Sequence, residues 1–294
     1  MMHHTSLGLS WWLAVMPLTD VAQQHVQTSA PEPDVMLAAV SRDRSMLSGG
    51  IGSGARTAPG RVVVEPLARL SPTGNWRNVP CVAGDNEGCR QFAREYLSKP
   101  HSYTVISGDG SGAFIRAKPT TLSECYDFAG DGTYSGASLA GSAIAASSEE
   151  FFAGAPPLRP VEKDGRALLK RAVAGLIPRT LDSTRDLRFF DLSIEGYQMV
   201  VMQRAYADMS GIPDSEGPKH VFAIGRVSGG RFEMLHWKKN TEDEDERVIG
   251  TIRLSSGREF LISVVNDPES HWFRVYGIRG GRLALVYSGG GSSC

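Results

Sequence analysis

From residue 187 onward, runs of β-branched, aromatic and aliphatic residues alternate with short glycine-bearing breaks. Three breaks share one form: Ser228-Gly229-Gly230-Arg231, Ser255-Ser256-Gly257-Arg258 and Arg279-Gly280-Gly281-Arg282. Ile194-Glu195-Gly196-Tyr197 is a looser fourth. Their glycines, Gly196, Gly230, Gly257 and Gly281, stand 34, 27 and 24 residues apart. Gly-Gly, Ser-Gly and Glu-Gly suit two-residue hairpin turns, where positive φ is needed. Residues 187–208, 221–237, 248–265 and 272–287 therefore read as four hairpins, an antiparallel meander of eight strands. A repeat of this period raises a propeller, but eight strands supply only two four-stranded blades. A curled sheet or an up-and-down barrel is expected instead.

Ahead of the meander, residues 164–177 carry a helical stripe of Leu168, Leu169, Ala172, Val173, Leu176 and Ile177. Lys163, Arg166, Lys170 and Arg171 fall outside it. Asp164 suits the N-cap and Pro178 a stop, so this amphipathic helix is expected to pack on the sheet that follows.

The N-terminal half is more mixed. Residues 61–70 (RVVVEPLARL) read as a short strand, which Pro66 demotes to an edge. Cys89, Phe92, Ala93, Tyr96 and Leu97 have helical spacing, ended by Lys99-Pro100. Residues 103–106 and 113–116 flank SGDGSG, a hairpin signal. Gly130-Asp131-Gly132-Thr133 reads as a turn. Residues 137–152, rich in Ala, Ser and Gly, allow either a helix or a closely packed loop.

The predicted fold is α+β: a C-terminal meander of about four hairpins with a packed amphipathic helix, and a smaller mixed N-terminal region. The predicted divisions are 1–23 as a possible signal peptide and 24–60 as a disordered linker rich in Ser, Pro, Ala and Gly. Residues 61–158 form the mixed region and 159–294 the helix plus meander. The signal reading rests on the apolar run LGLSWWLAVMPL at residues 7–18, which has secretory length. Against it, no Lys or Arg precedes the run, and the first basic residue is Arg42.

Composition adds limits. The chain has 294 residues, with 31 basic and 32 acidic side chains and a formal charge of −1. A dedicated nucleic-acid binder carries a basic footprint, so nucleic acid is not an expected partner. No run of about 18 apolar residues occurs, so no transmembrane span is expected in the mature chain.

The four cysteines, Cys81, Cys89, Cys125 and Cys294, include no C-x-x-C pair. Cys81 and Cys89 bracket a polar loop able to fold back on itself. The simplest pairing is Cys81 with Cys89 and Cys125 with Cys294, out of three possible connectivities. With the leader, this points to a secreted or periplasmic chain, or to a cytoplasmic one with free thiols if the apolar run is not a signal.

Motifs for chemistry are weak. Gly136-Ala137-Ser138-Leu139-Ala140 lacks the second glycine of a nucleophile elbow. Ser111 is explained by its hairpin turn. His220, His236 and His271 fall near strand ends, where Glu233, Asp267 and Glu269 could join them around zinc. Asp127, Asp131 and the acidic run 242–246 lack the spacing of a calcium loop, and the run reads as a solvated connection. The glycine-rich residues 50–54 have neither the strand and helix nor the lysine of a phosphate loop. Trp237 and Trp272 fall at strand ends with Tyr276 and Tyr287 nearby, a set that could form a carbohydrate or peptide platform but is read chiefly as packing.

No catalytic residue, metal ligand or cofactor is therefore assigned. The expected function is an exported, non-enzymatic binding or envelope-associated module with an unknown protein or small-molecule partner. The alternatives are a small-molecule binder with a barrel cavity and a hydrolase with a dispersed active site.

Overall fold

The structure, a computed structural model, describes residues 34–42, 60–79, 86–92, 94, 100–107, 113–118, 130–136, 139, 142–153, 159–161, 163–173, 187–191, 197–202, 220–228, 231–240, 245–266, 270–279 and 282–293. The signal reading, and most of the linker reading, lie outside these residues.

The N-terminal region closes into a six-stranded antiparallel barrel. Its strands are β1 (Val35–Ser41), β2 (Arg61–Leu70), β4 (His101–Ser107), β5 (Phe114–Ala117), β6 (Gly130–Ser135) and β7 (Ser142–Ala146), while β3 (Trp76–Arg77) extends the outer end of β2. The order β1-β7-β4-β5-β6-β2 is closed by a β1–β2 pairing that runs from Val35↔Leu70 to Ser41↔Val63.

Alternation along each strand sends one set of side chains inward: Met36, Ala38, Val40, Val62, Val64, Tyr103, Val105, Ile115, Ala143 and Ala145. A barrel this narrow is filled by side chains, which favours small inward residues. At Gly132 a Cβ would lie 2.8 Å from Val64 Cγ2 and 3.2 Å from Ile115 Cγ2. The short helix α1 (Asn86–Phe92) sets Cys89 and Phe92 against the same core.

Three barrel strands depart from the sequence expectations. Residues 35–41, inside the expected linker, form β1. Its inner face lines the barrel and its outer face packs on a second layer, so the run VMLAAVS is apolar throughout and shows no period of two. Residues 130–133, expected as a turn, belong to β6, where Gly132 answers to barrel space. Residues 142–146, within the segment read as helix or loop, form β7. Pro66 sits in the interior of the barrel wall, beside a bulge where Leu67 is the extra residue, rather than on an edge.

The meander is present but divided. β10 (Leu187–Asp191), β11 (Tyr197–Met202), β12 (His220–Ser228) and β13 (Arg231–Asn240) form one sheet with β9 (Arg159–Pro160). β14 (Asp245–Leu254), β15 (Glu259–Asn266), β16 (Ser270–Arg279) and β17 (Arg282–Ser293) form a second sheet with β8 (Phe152–Ala153). Among the described residues neither sheet closes into a barrel. Ser228↔Arg231 and Arg279↔Arg282 pair across two-residue turns. The turn at Gly257 is longer: Leu254 N–H donates to Arg258 O, and Gly257 takes φ +81°. Helix α2 (Lys163–Val173) packs against β13, with Leu169 fully buried.

One face of the β14–β17 sheet lies on the outer face of the barrel. Leu37, Ala39, Val63, Ile106 and Ile144 meet Ile252, Phe260, Ile262, Val264, Phe273 and Val275 in a single apolar layer. The layers approach closely at Gly250, where a Cβ would lie 2.8 Å from Ser107 Oγ. Ser107 Oγ accepts from Thr251 N–H at 3.1 Å. Among the described residues no helix is long and apolar enough to cross a membrane.

Candidate functional site

Two buried polar clusters stand out against this apolar framework. The first joins the two layers. Val62 and Val64 of β2 point into the barrel, so Glu65 points outward, toward the second sheet. There its Oε1 meets His271 Nε2 of β16 at 2.5 Å. Their side chains are only 2% and 3% exposed. The Phe273 ring stands edge-on to the imidazole. Asn266 of β15 is the ladder partner of His271, and neither of its buried amide atoms has a hydrogen-bond partner among the described residues. On the other side of His271 the β16–β17 ladder is irregular around Gly290 and Gly291, both at positive φ. A side chain at Gly291 would collide with the His271 carbonyl.

The second cluster lies on the opposite face of the same sheet and spans three strands. Glu246 Oε1 of β14 accepts from Ser263 Oγ of β15 at 2.7 Å and from Tyr276 OH of β16 at 2.6 Å. Its Oε2 accepts from Arg274 Nη1 at 2.9 Å. Arg274 also lies over the Trp272 ring, 5.5 Å from its centroid. Glu246, Ser263 and Tyr276 are buried. Both carboxylate oxygens are engaged by donors, so the group acts as a clamp across the sheet.

Burial raises the Tyr276 phenol pKa, and the charge of Glu246 and the hydrogen bond to it raise it further, while Arg274 opposes them. Burial also raises Tyr103 and Tyr287. A folded-state phenol pKa above its unfolded value of about 10 means that the folded chain holds the proton more tightly. The associated stability is complete below about pH 10 and declines as pH rises beyond it. An alkaline titration followed by phenolate absorbance is expected to show a set of tyrosines that ionise only together with unfolding. A smooth titration of every tyrosine with retained far-ultraviolet dichroism would contradict this.

The residues singled out in the sequence are dispersed. His271 is buried against Glu65. His220 and His236 lie on β12 and β13 of the other sheet. Glu233 is exposed and pairs with Arg226 at 2.6 Å. Glu246, expected in a solvated acidic run, is the centre of the second cluster. Asp131 is exposed on β6. Trp237 lies on β13, and Tyr287 is buried, donating to Leu67 O at 3.1 Å and stacking on Trp76. Ser111, Ser138, Asp127, Asp267, Glu269 and residues 50–54 lie outside the described residues. So do Cys81, Cys125 and Cys294. Cys89 is buried and disulfide-bonded.

Sequence reasoning missed Glu65, although one acid inside RVVVEPLARL is itself a signal of a buried partner. Ser263 and Arg274 carried no such signal. Among the described residues no three His, Cys, Asp or Glu side chains gather as a metal site.

No protein-family model matches the chain, and comparison with curated proteins and with solved structures finds no match.

Proposed function

We propose that the chain is an exported, non-enzymatic binding or envelope-associated module. The observation that carries this reading is the use made of its reactive groups. Glu65 and His271 hold one layer to another, and Glu246, Ser263, Tyr276 and Arg274 hold three strands together. A carboxylate that accepts from a serine, a tyrosine and an arginine at once has both oxygens occupied by the donors of its own sheet. Both clusters are withdrawn from solvent, where a substrate would have to enter.

Export and the pairings Cys81–Cys89 and Cys125–Cys294 belong to the same proposal. The disulfide state of Cys89 supports an oxidising compartment. The cavity-binding alternative gains no support from the barrel, whose interior is filled by its own side chains.

The test is intact mass measurement, native and then denaturing, on protein purified from its own host. The expected mass lacks the leader and the hydrogens of two disulfides, and shows no small adduct. A full-length, fully reduced mass would overturn export. An adduct of ligand or metal size that is lost on denaturation would overturn the ranking in favour of a small-molecule binder.

A further inference from the structure

Helix α2 packs one side against β13, where Leu169 is fully buried. The helical repeat sends Lys163, Arg166, Lys170 and Arg171 to the other side, within an arc of about 140° and over roughly 12 Å of helix axis. Lys163, Arg166 and Arg171 are exposed and Lys170 is half-buried, with exposed Ala167 among them. Arg166 Nη2 donates to Val161 O at 3.4 Å, which holds the side chain and leaves its charge in place. Among the described residues no carboxylate forms an ion pair with any of the four. Residues 163–173 carry four cations against one acid, Asp164, on a chain whose formal charge is −1. Helix stability accounts for only part of this row. Lys170 and Arg171, in the last turn, complement the helix dipole, whereas Lys163 and Arg166, in the first turn, oppose it. Arg166 stands three residues after Lys163 and four before Lys170, so the three are like-charged neighbours on one face, an arrangement that destabilises a helix.

We propose that this face of α2 rests on an anionic phospholipid surface, with its cations among the headgroup phosphates. The inference rests on the envelope-associated reading above and names the surface. A plane of negative charge opposes every member of the row at once and relieves the repulsion within it. The apolar side of the helix is already committed to β13, so the contact is electrostatic, without insertion into the acyl layer. Binding of this kind is weak, grows with the fraction of acidic lipid and is screened by salt. A single-stranded nucleic acid needs rings on which its bases stack, and residues 163–173 contain no aromatic residue.

The experiment is sedimentation of the full chain with phosphatidylcholine vesicles that contain rising fractions of phosphatidylglycerol, at about 0.1 M and about 0.5 M salt. Pelleting is expected to rise with phosphatidylglycerol, to fall away at the higher salt and to be absent with phosphatidylcholine alone. Each cation near an acidic bilayer contributes about fivefold, so Lys170→Glu, which also adds a repulsive charge, should weaken binding about tenfold or more. Lys163→Glu separates the surface role from helix stability. An acid in the first turn suits the dipole, so the unfolding midpoint holds or rises while binding falls by a similar factor. Arg116→Glu, exposed on β5 of the barrel, makes the same change in net charge and should leave binding nearly unchanged. Pelleting with phosphatidylcholine alone would overturn the inference, as would unchanged pelleting by both helix variants or an equal loss with Arg116→Glu. Tighter binding to oligothymidylate or to polyglutamate than to the acidic vesicles would give the face to that polymer instead. No pelleting with acidic vesicles, by a chain whose intact mass lacks the leader and the hydrogens of two disulfides, would remove this inference and leave the module reading standing.

Discussion

Replacing Glu246 with Ala is expected to lower the free energy of unfolding by about 3–5 kcal/mol, the range for breaking a buried ion pair from one side. The cost comes from what remains. Arg274 keeps its charge at 15% side-chain exposure with the carboxylate gone. Tyr276 OH and Ser263 Oγ lose their acceptor inside a buried face, and each unsatisfied polar group adds about 1–3 kcal/mol. Glu246→Gln keeps the shape and one good acceptor, so it should cost clearly less than the alanine variant. Guanidinium unfolding midpoints with unchanged slope would measure both. A loss below about 1 kcal/mol for Glu246→Ala would place the carboxylate among solvent-screened surface pairs. That outcome would remove the physical basis for calling the cluster structural and would reopen a chemical role for Ser263 and Tyr276.

The same carboxylate shows how far charge patterning carries. Residues 242–246 are five successive acids between Thr241 and Arg247, and such a run reads as solvated. Its last two members, Asp245 and Glu246, nevertheless enter β14, and alternation turns Glu246 onto a buried face. Which face is buried is a tertiary fact, absent from the local pattern. Turn chemistry was more informative. Ser228 pairs with Arg231 and Arg279 with Arg282, the hairpin pairings expected from the two Gly-Gly breaks, because a two-residue connection leaves little freedom of register. The break between β13 and β14 was not legible, since hydrophobic runs mark strands without marking their neighbours.

Barrel closure was hidden for a different reason. Ala38, Gly132, Ala143 and Ala145 are small because the interior is narrow, and small residues read locally as linker, turn or loop. Met36–Val40 is apolar on both faces because both are covered, which removes the alternation that announces a strand. Rows of side chains across the barrel became legible only once the register was known. Arg61 and Arg116 stand 55 residues apart in sequence, and only pairing to Thr133 on either side brings them into one row.

Breaking the Glu65–His271 pair from either side is expected to cost about 3–5 kcal/mol, again because the remaining member stays buried without the group that faces it across the layers. Glu65→Leu removes the layer-spanning contact of the imidazole, next to Asn266, whose amide lacks partners among the described residues, and His271→Leu removes that of the carboxylate beneath the sheet. The double variant Glu65→Leu/His271→Leu should recover most of the loss, since two apolar side chains match the surrounding layer of Val63, Phe273 and Val264. A double-mutant cycle read by chemical denaturation would then give a coupling energy of several kcal/mol, at the upper end for residues in contact. Near-additive losses would mean that the contact contributes nothing beyond its separate parts. Native-state hydrogen exchange on the single variants locates the consequence. Because the pair ties β2 of the barrel to β16 of the sheet, amides of both strands should lose protection together. Loss confined to β16, with the barrel amides unchanged, would show that the apolar layer alone does not transmit the defect, and that the barrel is an independently cooperative unit to which the sheet is docked.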